Sequence, residues 1–219
     1  MAQCRGNVPR LTIRDAAADN FAAICALNLA DVQHTSAMDL KRLGELHGLS
    51  VHHRVGRVDG AVAAFLLAMS GSAAYNNDNF KWFAQRCGRF LYVDRIVVSA
   101  ACRGMGVGSM LYEDLFRRAR EEGYPMVTCE YNMEPPNELS RAFHDKFGFT
   151  EQGTQWVASG TKRVSLQVAE VAPMPQVATK LPDPVRLGYT AISRDNRASI
   201  WWISRPLSGQ SGRDHILGI

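Results

Sequence analysis

The 219-residue chain is predicted to fold as an α+β domain, about seven β-strands interleaved with amphipathic helices. Three features carry that prediction. An Asp59-Gly60 pair separates two runs of strand-forming residues, a glycine-rich turn joins a Val/Ile-rich strand to an amphipathic helix, and a further strand, helix and strand series closes near residue 171.

Leu11 to Arg14 reads as the first strand and Ala16 to Leu29 as a helix, with Phe21, Ile24, Cys25 and Leu29 at helical spacing. Leu40, Leu43 and Leu46 predict a short second helix. Val51 to Val58 and Ala61 to Met69 flank Asp59-Gly60, a strong signal for a two-residue hairpin turn. Ser70 to Asp78 is polar and rich in Gly and Asn, hence a loop, and Asn79 to Cys87 is a candidate short helix. Arg89 to Ser99 is a strand, Gly106 to Glu122 an amphipathic helix and Met126 to Tyr131 the next strand. The bend at Glu134-Pro135-Pro136 leads to a helix over Asn137 to Phe147, whose expected buried face is Leu139, Phe143 and Phe147. Phe149 to Gln152 and Lys162 to Val171 complete the sheet.

From Pro173 the texture changes to Pro-, Gly- and Ser-rich sequence around Ile200-Trp201-Trp202-Ile203. The chain therefore divides into an N-terminal extension (1–9), a folded domain (10–171) and a C-terminal appendage (172–219). The net charge is +4, but Lys180, Arg186, Arg194, Arg197, Arg205 and Arg213 of the appendage account for much of it. A nearly neutral body without a basic, aromatic-interleaved stripe argues against nucleic acid as a partner. The longest apolar stretch, Gly60 to Met69, is about half of the roughly 20 residues that a membrane-spanning helix needs, so no membrane is expected. The five cysteines are scattered and never in C-x-x-C spacing, which fits reduced thiols and a cytoplasmic setting. His52 and His53 are adjacent and would point to opposite faces of a strand, so no metal site is expected there.

Arg103-Gly104-Met105-Gly106-Val107-Gly108-Ser109 lies between a strand and a helix, where unpaired N–H groups and the positive end of the helix dipole coincide. Alternate glycines let the backbone approach a diphosphate, and Arg103 adds a fixed charge. The absence of a Gly-Lys-Ser/Thr ending argues against a nucleotide-binding P-loop. A dinucleotide fingerprint is closer, with Gly104 and Gly106 present and Glu130 at the end of the next strand, yet Ser109 replaces its third glycine and an antiparallel hairpin precedes the loop.

The segment Val98 to Gly108 resembles the acetyl-CoA signature R/Q-x-x-G-x-G/A of the GNAT superfamily of N-acetyltransferases. Asn137, Ser140, His144, Gly148 and Phe149 are similar to that superfamily's second signature, N-x-x-A-x-x-x-Y-x-x-x-G-F. Trp82-Phe83, Phe90 to Ile96 and Glu130 to Asn137 further resemble a bacterial subgroup of predicted acetyltransferases, and the similarity spans about residues 10 to 171.

The resemblance implies a mixed sheet with helices on both faces, splayed between the strands Phe90 to Ser99 and Met126 to Tyr131 to admit the pantetheine arm of acetyl-CoA. Val98 would pair with the arm, Arg103 to Ser109 would cradle the pyrophosphate, and Asn137 would touch the arm. Backbone N–H near Val98 would hold the developing negative oxygen. The implied activity is acetyl transfer to a primary amine of a small molecule or protein, with coenzyme A as product. A non-catalytic domain that binds acetyl-CoA as a regulatory ligand is the alternative, and a homodimer is left open. A lysine-like amine carries a deprotonation cost of roughly 4 to 5 kcal/mol at pH 7. Asp94, which shares strand parity with Val98, and Glu130 are the candidate bases, and His144, at the tyrosine position of the motif, is the candidate acid. Asn28, Tyr75 and Trp82 are candidate acceptor-binding residues.

Overall fold

A computed structural model describes residues 8–173; all but the first two residues of the appendage expected over residues 172–219, and most of the N-terminal extension, lie outside the described residues. The strands are β1 (Leu11–Asp15), β2 (His52–Val58), β3 (Ala61–Ser70), β4 (Leu91–Val98), β5 (Met126–Glu134), β6 (Thr150–Val157) and β7 (Lys162–Glu170). The helices are α1 (Phe21–Ala30), α2 (Leu40–Leu49), α3 (Asp78–Ala84), α4 (Val107–Glu121) and α5 (Glu138–Asp145). They form one seven-stranded sheet in the order β1-β2-β3-β4-β5-β7-β6, mixed as expected, with β4 and β5 its parallel pair.

The β2–β3 hairpin turns on Asp59 and Gly60 at φ 49° and 87°, the left-handed values that a two-residue turn of this hand requires. Strand alternation then sorts side chains to two faces. Ile24 of α1, Leu43 and Leu46 of α2, and Phe80 and Phe83 of α3 pack with Phe65, Leu67 and Tyr92 on one face. Val107, Leu111, Tyr112 and Leu115 of α4 pack with Leu66, Leu91 and Val127 on the other. His52 and His53 obey the same alternation: His52 faces Asp114 of α4, whereas His53 meets His47 of α2. No cluster of three or more His, Cys, Asp or Glu suited to a metal occurs among the described residues.

β4 and β5 are in register only at Leu91–Val127 and Tyr92–Thr128, and beyond those pairs they diverge. β4 also carries a bulge. Arg95 pairs with Leu67 and Val93 with Ala68, leaving Asp94 without a partner on β3. The extra residue corrects the expected parity, because Ile96 and Val98 now pack on the α4 face while Asp94 reaches Tyr75 on the other. Ser99 N–H donates to Ala63 O, so ladder alternation turns the backbone groups of Val98 away from β3 and toward the divergence.

Two helices differ from the periodic expectation. Leu139 is 69% exposed and Leu29 70% exposed, and Asn28 occupies the buried position on α1 beside Ile24. Both leucines lie outside the face that buries Ile24 and Asn28 on α1 and His144 on α5. A close approach fixes the position of α4: a Cβ on Gly56 of β2 would lie 2.5 Å from Val107 Cγ2, which is buried. Gly56→Ala is expected to destabilise the fold by about 1–3 kcal/mol, with Val107→Ala in the same chain restoring part of the loss; urea unfolding of the three variants checks it.

Candidate active site

The β4–β5 divergence opens into a cavity of about 540 Å³, lined from β4 by Asp94 and Arg95, from β5 by Glu130 and Asn132, and from α5 by Ser140 and His144. Its polarity decides its chemistry. The Glu130 carboxylate accepts at Oε1 from Asn79 Nδ2 (2.8 Å) and from Tyr92 Oη (2.9 Å), while buried Oε2 has no partner. Burial pushes the Glu130 carboxyl up to about 8; neighbouring Asp94 adds to the rise, and the Asn79 and Tyr92 hydrogen bonds oppose it. Asp94 is differently placed, since Tyr75 Oη donates to Oδ1 (2.6 Å) and Arg95 Nε to Oδ2 (3.1 Å). Arg95 in turn donates to Asn28 Oδ1 and to the Ser36 carbonyl, both at 2.7 Å.

His144 is buried, with Nδ1 2.7 Å from the Ser140 carbonyl and Nε2 2.7 Å from Tyr112 Oη. A carbonyl only accepts, so Nδ1 carries the proton and neutral Nε2 accepts from the tyrosine hydroxyl. Burial lowers the imidazole pKa further, against the smaller opposing effect of the Ser140 hydrogen bond. The neutral ring is therefore the dominant form at pH 7.

At the α4 end of the gap, Gly104 and Gly106 take φ of 80° and 87°, and a Cβ at either would meet no atom within 4 Å. Gly106 is the N-cap of α4 and supplies no side-chain cap, so the first-turn N–H groups of this helix are left to another acceptor. Gly108 has a separate task, as its Cβ would lie 3.2 Å from Val98 Cγ2, and its absence lets α4 close on the end of β4. The Asn137 side chain accepts from Ser140 N–H and caps α5, a use that engages Oδ1 and leaves the amide NH₂ outside the cap.

Residues 31–149 match the acetyltransferase (GNAT) family. The chain belongs to that family.

Over 114 residues it is 35% identical to glucosamine 6-phosphate N-acetyltransferase 1 of rice, an alignment covering 52% of this chain and 63% of that protein. The chain thus spans less than two thirds of the length of this curated relative. Among solved structures, Ard1 of Thermoplasma volcanium aligns over 74% of this chain and 98% of its own at 18% identity, with a TM-score of 0.60. The Salmonella typhimurium protein yncA, solved with acetyl-CoA, aligns over 76% of this chain and 96% of its own at 19% identity and a TM-score of 0.58. At those identities the likeness is one of fold.

Within this GNAT fold, the cavity gathers Tyr75, Asp94, Glu130, and Asn137 with His144 of α5, from four separate segments. Two expected acceptor residues fall elsewhere. Trp82 lies over Gly153 and lines a separate depression with Arg86, Cys87 and Phe147, because α3 turns its indole toward β6. Asn28 is buried on α1, where it holds Arg95 and donates to the Ser36 carbonyl, so it supports the wall without lining it. Arg103 is paired with Asp31 at 3.2 Å and is 46% exposed at its side chain, within the loop but turned toward the segment after α1. The expected acid role of His144 meets a neutral ring whose two nitrogens are already engaged.

The sequence pattern does not single out Asn79, Tyr92, Lys162 or the His34 to Ser36 segment, all of which line the cavity or contact Glu130. No local signal marks them, since each arrives through a contact distant in sequence.

The raised Glu130 pKa has a consequence for stability. The unfolded chain releases this proton near 4.3 and the folded chain near 8, so this group's contribution to stability falls as pH rises between those values. Glu130→Gln is expected to melt at increasingly higher temperature than the wild type from about pH 5 to about pH 8, with the margin level above that; melting curves from pH 4 to 9 check it.

Proposed function

We propose that the protein is an acetyl-CoA-dependent N-acetyltransferase in which Glu130 accepts the proton of a primary amine as it attacks the thioester directly. The observation that carries this reading is the unpartnered Glu130 Oε2 at the cavity wall, on a carboxyl whose pKa is pushed up to about 8. That value lies near working pH, where a base combines adequate ionisation with real proton affinity. Asp94, committed to Tyr75 and Arg95, is the weaker candidate and fits an organising role.

Acetyl-CoA, when bound, supplies an acetyl group activated as a thioester. The residues present fit it. Val98 offers backbone groups turned toward the gap for an extended, amide-bearing arm, and Asn137 offers a side-chain amide. The open positions beside Gly104 and Gly106, with the uncapped first turn at Val107, Gly108 and Ser109, suit a diphosphate. Met105 is exposed between the two glycines, and Arg103 can exchange Asp31 for phosphate oxygens by a change of rotamer. His144 acts in this account by holding the cavity wall, and the departing thiolate takes its proton from water.

The rice relative carries in its name an amine acceptor on a phosphorylated sugar. The shared segment supports the amine and leaves the remainder of the acceptor open. Tyr75 and the segment after α1, including Thr35 and Ser36, line the part of the cavity where that remainder would bind. A bacterial, cytoplasmic enzyme is the setting we propose, on the resemblance of the Phe90 to Ile96 segment and the scattered thiols.

Two substitutions separate binding from chemistry. Gly106→Asp sets a carboxylate against the diphosphate and is expected to weaken acetyl-CoA binding at least tenfold by calorimetry while the domain stays folded. Glu130→Gln is expected to keep acetyl-CoA affinity within about twofold and to lower thiol release across a panel of primary amines by about 10²-fold or more. Wild-type turnover in folded Glu130→Gln would remove the carboxylate from the mechanism.

A further inference from the structure

The Glu130 carboxylate is not simply buried; it is held by a chain of amides crossing three elements. Gln155 Nε2 of β6 donates to Asn79 Oδ1 at 2.5 Å, and Asn79 Nδ2 of α3 donates to Glu130 Oε1 of β5 at 2.8 Å. The order of donors matters, because an amide presents a carbonyl on one side and an NH₂ on the other. With Gln155 donating to the oxygen, Asn79 must aim its NH₂ at the carboxylate. Tyr92 Oη of β4 donates to the same Oε1. Two donors on one oxygen and none on the other fix the rotamer, so that Oε1 is consumed by the protein and Oε2 is left as the basic atom.

We propose that Asn79, with its amide orientation set by Gln155, is a positioning residue that holds Glu130 in its productive rotamer and tunes its basicity. The proposal rests on Glu130 as the base. Asn79 is itself buried and comes from α3, whose start is fixed by Asn77 accepting from Phe80 N–H at 3.0 Å. α3 thereby acts on the base as well as on the core through Phe80 and Phe83. The other groups acting on Glu130 are Tyr92, Asp94 and Arg95 of β4; Tyr112 of α4 and Cys129 of β5 are themselves pushed up by its charge, and His144 of α5 lines the same cavity. Among them Arg95 favours the carboxylate and Asp94 disfavours it, so the donors on Oε1 set a substantial part of the balance.

The test reads the carboxyl directly, without substrate. The full chain labelled with ¹³C-glutamate is titrated by NMR, with the Glu130 signal assigned by its loss in Glu130→Gln. Wild type should titrate near 8. Asn79→Leu should raise that midpoint by about one unit, because a hydrogen bond favouring the charged form is gone. Gln155→Leu, on a different element, should raise it by less, because Asn79 keeps its NH₂ but loses its fixed orientation. The acid limb of kcat/KM should move upward with the midpoint in any variant that turns over. An unmoved midpoint in folded Asn79→Leu overturns the proposal. If Asn79→Leu does not fold, Gln155→Leu becomes the deciding variant, and an unmoved midpoint there overturns the proposal equally. Failure of Glu130 as the base shows separately, as unchanged thiol release in Glu130→Gln while the titration still responds to Asn79.

Discussion

The structure depends on how briefly β4 and β5 agree. Two neighbouring parallel strands would ordinarily pair along their whole lengths, since unpaired buried N–H and C=O groups are costly. Here pairing stops after Tyr92 and Thr128, and everything chemically interesting lies beyond that point. The bulge at Asp94 contributes, because one extra residue turns β4 away and rotates the backbone groups of Val98 into the gap. β5 can afford to lose β4 because it is held on its other side by β7 from Met126 to Glu134. The gap therefore lies between two strands that are each paired along their outer side.

A gap of this kind sets the electrostatics of what lines it. Glu130 faces away from α4, toward the layer of α1, α2 and α3, where Tyr92 and Asn79 reach it. Desolvation outweighs the two hydrogen bonds, and the net result is a carboxyl that holds its proton to about 8. Asp94, two strand positions from Tyr92, is also buried but has Arg95 beside it. The two carboxylates of one cavity are thus given different tasks by their neighbours: one is an ion-paired brace, the other a group with a vacant oxygen. Nothing in the residue type distinguishes them.

Much of this is legible in the sequence where the cause is local. The Asp59-Gly60 turn and the Gly104 and Gly106 positions all show the positive φ that marks the use of glycine and its companions, and the seven strands appear in the expected order. His52 and His53 alternate between faces for the same reason. Expectations that depend on docking fare worse. Leu139 has the spacing of a buried residue yet faces solvent, and Trp82 has the bulk of a pocket residue yet covers Gly153. Parity fails at Asp94 because a bulge resets alternation and leaves no mark in composition. Asn79 and Tyr92 are invisible in the sequence as site residues, being 51 and 38 positions from Glu130.

His144 shows how a departure from a family motif is absorbed. The motif has a hydroxyl-bearing ring at this point of α5, and this chain places an imidazole there. A hydroxyl is nevertheless present, brought by Tyr112 from α4, which is fully buried and kept protonated because burial raises its pKa well above the ordinary value. The protonated phenol must donate to Nε2, and the Ser140 carbonyl holds the other nitrogen, so the ring is clamped at both ends. Tyr131 stacks on its face at 6.1 Å and Phe149 meets it edge-on at 5.2 Å. The imidazole thus ties α5 to α4, the helix that bears the open first turn, while Asn137 caps the start of α5. A substitution at His144 consequently acts first on how those two helices face each other across the gap. An effect on cofactor affinity should precede any effect on proton transfer, which is the order expected of a structural tie and the reverse of that expected of a general acid.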